Sequence, residues 1–164
     1  TYLPDPRAEL GHDPHRMLLC TSHPEVIWQQ NHCGIFRTEN GGESWIDVSG
    51  KNGFPFYGFA LAIDEQDPKK AWVIPAQSDE VRLPHELKLT VCKTTDSGEN
   101  WISMNSGLPV SYSFDLVLRH AFARKEETLA FGTNNGNLFI SDDFGDNWKA
   151  ITYHLATINS LILI

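Results

Sequence analysis

Apolar residues along this chain come in short runs of roughly five, cut at close intervals by Gly, Pro, Asn and Asp. Runs of this length and punctuation predict β-strands joined by turns. No window carries apolar positions at helical spacing, so no amphipathic helix is expected. The runs recur in sets of four. The first members are Arg16-Met-Leu-Leu-Cys20, Phe59-Ala-Leu-Ala-Ile63 and Phe114-Asp-Leu-Val-Leu118. The second are Val26-Ile-Trp-Gln29, Ala71-Trp-Val-Ile74 and Thr128-Leu-Ala-Phe131. The third are Gly34-Ile-Phe-Arg37, Leu89-Thr-Val-Cys-Lys93 and Asn137-Leu-Phe-Ile140. Short fourth runs follow as Ile46-Asp-Val48, Ile102-Ser-Met104 and Ala150-Ile-Thr152. The first members read as continuous apolar stretches rather than alternations, the pattern of a strand covered on both faces.

Between each third and fourth run lies one motif, Ser/Thr-x-Asp/Asn-x-Gly-x-x-Trp. Its copies carry Thr38, Asn40, Gly42 and Trp45, then Thr94, Asp96, Gly98 and Trp101, then Ser141, Asp143, Gly145 and Trp148. The tryptophans lie 56 and then 47 residues apart, a period that suits a four-stranded propeller blade. The Asp or Asn is suited to accept a backbone N–H two residues on, the Gly supplies positive φ, and the Trp packs back on the sheet. The three tryptophans are therefore expected to be equivalent and mostly buried. Asn40 replaces the carboxylate in the first copy, as a purely structural acceptor allows. A calcium loop built on Asp142, Asp143 and Asp146 is excluded by the glycine position and the missing bidentate Glu. The fold expected is all-β: a β-propeller fragment of about three four-stranded antiparallel blades. Its blades span roughly 14–49, 58–105 and 113–155. A final strand, 158–164, resembles an innermost strand and is expected beside the third blade, unpaired.

Charge narrows the partners. The formal charge of −8 and the absence of a basic run argue against nucleic acid and anionic membranes. No apolar stretch is long enough to span a bilayer. Cys20, Cys33 and Cys92 are odd in number and form no CxxC pair, which favours a reducing, cytoplasmic setting. The chain starts at Thr1 rather than Met, so a preceding leader is compatible with it. No cofactor motif and no metal-ligand spacing emerges.

The three motifs resemble the Asp boxes, or BNR repeats, of sialidases, of the sortilin luminal domain and of a photosystem II assembly factor. The segments 29–37, 75–82 and 129–137 resemble bacterial proteins labelled sialidase-like or glycosyl hydrolase. The resemblance implies a propeller, and it implies either a binding or assembly module or a glycosidase, since this repeat serves both. A sialidase would need an arginine clamp, a Tyr nucleophile and an acid. Arg37, Arg82 and Arg119 fall on three blades, but Arg37 sits at the wrong end. Tyr57 and Tyr112 lack an evident Glu partner. A glycosidase of another kind would draw on Asp79 or Glu80.

In such a topology the loops from second to third strand, and from fourth strand to next blade, share the face opposite the motifs. The longest, within 76–88, contains Asp79, Glu80, Arg82 and His85 and accounts for the longer first spacing. Asn31, His32, Asn134 and Asn135 are expected on the same face. His32 beside Cys33, read alone, is structural. Arg119 and His120 close an innermost strand and are candidates to face the channel, an ion pair with a nearby carboxylate being the plainer reading. The ligand-binding candidates are thus Asn31, His32, Asp79, Glu80, Arg82, Arg119 and His120. A carbohydrate or a polar protein or peptide suits that lining, and the catalytic residues, if any, are not identified.

Overall fold

The computed structural model describes residues 12–50 and 54–164. Among these residues there is no α-helix, and three four-stranded antiparallel sheets form in chain order. The first holds β1 (Pro14–Leu19), β2 (Ile27–Asn31), β3 (Gly34–Thr38) and β4 (Ile46–Asp47). The second holds β5 (Gly58–Ile63), β6 (Ala71–Pro75), β7 (Val91–Thr94) and β8 (Ile102–Met104). The third holds β9 (Phe122–Lys125), β10 (Thr128–Gly132), β11 (Leu138–Ser141) and β12 (Lys149–Thr152). A 3-10 turn, His85–Leu87, interrupts the β6–β7 loop.

The innermost strands stand side by side, β1 against β5 and β5 against β9. Two apolar layers fill the spaces between sheets. Trp28, Ile35, Leu61 and Val73 meet between the first and second sheets. Trp72, Ile74, Val91, Phe131, Phe139 and Trp148 meet between the second and third. A buried ion pair bridges the latter boundary, with Arg124 Nη2 at 2.8 Å from Asp64 Oδ2. The continuous burial expected of innermost strands holds for β5, where all six residues are buried. It fails for β1, which alternates, with Met17 and Leu19 about half exposed. The second sheet is covered on both faces, whereas among the described residues the first is covered on one.

Each repeated motif forms the same turn. The Ser or Thr hydroxyl donates to the Asp or Asn side chain and accepts the N–H of the motif glycine, as Gly42, Gly98 and Gly145 show at 3.0, 3.0 and 2.9 Å. The glycines sit at φ of 98°, 89° and 90°, a region costly for other residues. The acceptor's partner differs from expectation. Asn40, Asp96 and Asp143 accept the N–H four residues on, from Ser44, Asn100 and Asn147. The span is wider because the hydroxyl takes the inner N–H groups. These bonds hold the carboxyls of Asp96 and Asp143 below the usual range, with the side-chain bond from Asn100 or Asn147 contributing most; Asp143 falls to about 2.

The tryptophans are not equivalent in burial. Trp148 is 4% exposed, Trp101 is intermediate and Trp45 is 37% exposed. Trp101 and Trp148 lean on the preceding sheet. The Trp101 indole donates to the Val48 carbonyl at 2.9 Å, stacks on Phe54 and meets Trp28 edge-on. The Trp148 backbone N–H donates to Ser106. No sheet precedes Trp45 among the described residues.

Two strand expectations need correction. Phe114–Leu118 is not a strand; the third sheet begins at Phe122. Its buried Asp115 draws the Thr133 hydroxyl at 2.8 Å and the Asn137 amide at 2.7 Å, and Leu116 pairs with Asn134. These side-chain bonds replace a ladder, and the chain turns at 118–121, with the Ala121 N–H on the Leu118 carbonyl, before pairing resumes. The segment 158–164 also forms no strand. It lies beside the third sheet, held by a parallel bridge between His120 and Ser160, by Leu161 N–H on the His120 carbonyl, and by Ile158, which donates to the Thr133 carbonyl and packs on the apolar layer. Ile162 and Ile164 are exposed.

Candidate functional site

Hairpin register decides which side chains share an end of the sheets. Pro14 pairs with Asn31, and Gly58 with Pro75. The start of each innermost strand therefore lies beside the second-to-third-strand loop, opposite the repeated turns. There a cluster gathers from three loops and two strand starts: Asp13, His15, His32, Tyr57, Phe59, Asp79, Arg82 and Arg119.

Phe59 is at its centre. His15 stacks on it at 4.6 Å, and Tyr57 meets it edge-on at 5.5 Å. The guanidinium carbons of Arg82 and Arg119 lie 5.6 and 5.4 Å from its ring centre, within cation–π reach. Arg82 Nη2 also donates to Asp79 Oδ1 at 2.8 Å. That bond, with further help from the Arg82 charge, His32 and His15, holds the Asp79 carboxyl low and ionised. The β6–β7 loop is ordered by its own backbone bonds, with Gln77 N–H on Leu83 at 2.8 Å and a bridge from Ala76 to Pro84.

His15 is buried, and its Nδ1 lies 2.6 Å from the Gly58 carbonyl. Burial pushes its pKa down, against the raising effects of Gly58 and Asp13. Tyr57 is 8% exposed and its hydroxyl has no hydrogen-bond partner of sound geometry. Burial, and then the Asp79 charge, push its ionisation well upward. Asp13, half exposed, faces both imidazoles: Oδ2 lies 3.7 Å from His15 Nε2 and 3.9 Å from His32 Nδ1. The three residues with metal-ligating atoms that sequence spacing did not reveal thus come together here.

The other candidates fall outside the cluster. Asn31 is spent on its own turn, donating to Gln29 and accepting the Cys33 N–H. Asn134 accepts the Leu116 N–H, and Asn135 donates to the Phe114 carbonyl, so one group of each amide is taken up by the 114–116 segment. Glu80 is exposed at the loop tip. His120 contacts Arg16 of β1, between innermost strands. Arg37 lies at the opposite end, over Trp28 and bound to Glu39. Tyr112 projects into solvent, 83% exposed. The sequence reading missed Asp13 and His15, because it started the first strand at Arg16. The signal was present: Asp13-Pro14-His15 leads directly into an innermost strand.

No described protein family and no curated protein matches the sequence. Solved structures do match in fold. The GH74 xyloglucanase from Xanthomonas campestris superposes with a TM-score of 0.64 at 17% identity, over 85% of this chain and 20% of its own. YCF48 bound to D1 peptide gives 0.57 at 18%, over 87% of this chain and 42% of its own. YCF48 from Cyanidioschyzon merolae gives 0.53 at 20%, over 93% and 40%. The chain therefore has the all-β, blade-built fold of these proteins and spans less than half the length of each. No helix among the described residues is long and apolar enough to cross a membrane.

Proposed function

We propose that this chain is part of an Asp-box propeller of the sialidase-like group that acts as a binding or assembly module. Its ligand would be a polar peptide bearing a carboxylate, held on the face opposite the repeated turns. One observation carries this reading: two arginines from different blades converge on a single aromatic ring, and Arg119 has no carboxylate partner among the described residues. A guanidinium beside an apolar face is suited to a carboxylate with an adjoining side chain. The structural neighbour solved with a peptide is compatible with that partner class.

The glycosidase alternative uses the same face and draws less support. Asp79 is tied to Arg82 and held ionised, which suits no general acid. Tyr57 is pushed away from the phenolate that a nucleophile needs. The test is a peptide array and a glycan array probed with wild type and with Arg119→Ala. Loss of tenfold or more in peptide binding, at unchanged melting temperature, is expected. If wild type binds a ligand and the variant matches it, the assignment of this face fails. Selective glycan binding or hydrolysis would move the function to the alternative.

A further inference from the structure

We infer that Asp13, His15 and His32 form a site for a divalent transition metal of the zinc type, with one coordination position left open. Three features of the geometry argue for it, none of which depends on the peptide reading.

The first is how His15 is wired. Its Nδ1 meets a backbone carbonyl at 2.6 Å. A carbonyl only accepts, so Nδ1 carries the proton and the neutral ring leaves a bare lone pair at Nε2. Metal-bound histidines are oriented in this way, with the far nitrogen donating to a carbonyl that fixes tautomer and ring plane. Stacking on Phe59 holds the same plane from the side.

The second is that the lone pair faces an acceptor. His15 Nε2 looks at Asp13 Oδ2 across 3.7 Å, too far for a hydrogen bond. His32 Nδ1 approaches the same oxygen at 3.9 Å. All three ligand atoms lie within 4.8 Å of one another. Electron pairs converging at this spacing call for a cation. A tetrahedral zinc site, with bonds of about 2.0–2.2 Å, sets ligand atoms roughly 3.4 Å apart, so closure needs movements on the order of 1 Å. Exposed Asp13 and the two-residue turn bearing His32 can supply them, and Asp13 leaves a route in from solvent.

The third is the backbone. The His32 N–H donates to the Asp13 carbonyl at 3.0 Å, which fixes the segment before β1 to the β2–β3 turn. The ligands are therefore set by sheet register rather than by a free loop. Tyr57, whose buried hydroxyl lacks a partner, lies edge-on to His32 and His15 at 5.3 and 5.7 Å. Two nitrogens and one carboxylate oxygen suit zinc, or cobalt and nickel as probes, over the all-oxygen preference of calcium or magnesium. The nearby arginines lower affinity, so binding is expected in the micromolar range rather than tighter.

The experiment uses the whole chain after treatment with a chelator. Calorimetric titration with Zn2+ is expected to give one site, and Co2+ a visible absorption band of low-coordinate type that Zn2+ displaces. Asp13→Asn, an exposed and nearly isosteric change, and His32→Ala should each weaken Zn2+ binding at least tenfold. Arg119→Ala should leave the stoichiometry intact, which separates this site from the peptide face. Absence of stoichiometric Zn2+ binding by wild type would overturn the inference. So would equal affinity in Asp13→Asn and His32→Ala, which would place the ion elsewhere.

Discussion

The first and second blades are built from the same four runs and the same turn, yet they end differently. In the second, β5 is buried along its whole length, and Trp101 is bonded to the neighbouring sheet. In the first, β1 shows alternate residues to solvent, and Trp45 is 37% exposed. The turn itself is unchanged, with Gly42 and Gly98 held by the same hydroxyl bond at 3.0 Å. Turn geometry is thus a local property of eight residues, while burial of the tryptophan is conferred by the sheet before it.

Replacing the tryptophans tests that contrast most severely. Trp148→Ala should cost about 3–5 kcal/mol, as for a buried aromatic, and Trp45→Ala less than about 1 kcal/mol, with Trp101→Ala between them. Denaturant unfolding of the three variants measures the order. Equal losses would mean that the turns, and not the preceding sheets, hold the rings. Next in size is the ion pair across the second and third blades. Asp64→Asn leaves Arg124 buried without its counter-charge, and a loss of about 3 kcal/mol is expected. A loss near zero would show that this boundary relies on apolar packing alone.

The smallest effect sharpens the comparison by pH. The carboxyls of Asp96 and Asp143 are depressed in the folded state, Asp143 to about 2, against about 3.9 when unfolded. Their contribution is present above the unfolded value and is lost as pH falls through the folded one. Acid should therefore weaken the second and third turns between about pH 4 and pH 2, while the Asn40 turn contributes nothing to that slope. Asp143→Asn should flatten the dependence of melting temperature on pH in this window. An unchanged slope would remove the turn carboxylates as its source.

Strands and repeated turns were legible because both depend on neighbours in sequence: apolar runs, positive-φ glycines and a hydroxyl at fixed spacing. The exceptions arose where distant residues intervene. Phe114–Leu118 has the composition of a strand, but Asp115 finds Thr133 and Asn137 only in three dimensions. Asn134 and Asn135 look like ligand groups in sequence, yet they bond to the backbone of Leu116 and Phe114, 18 and 21 residues away. His32, Asp79 and Arg82 could be put on one face by counting loops, whereas the sequence points Arg119 toward the channel. Their assembly around Phe59, with His15 and Asp13 beside His32, depends on register between strands. The pairing of Pro14 with Asn31 could not be fixed from composition.

The indole of Trp101 reaches a carbonyl made 53 residues earlier. On a ribosome adding about 5–20 residues per second, that interval is roughly 3–10 s. For all of it Trp28 lacks the ring that covers its edge, and until Pro68 emerges it lacks the carbonyl that takes its N–H as well. Each of the first two blades is thus synthesised as an unlidded half-sandwich and sealed by its successor, so its buried tryptophan, Trp28 or Trp72, waits for cover as the chain emerges.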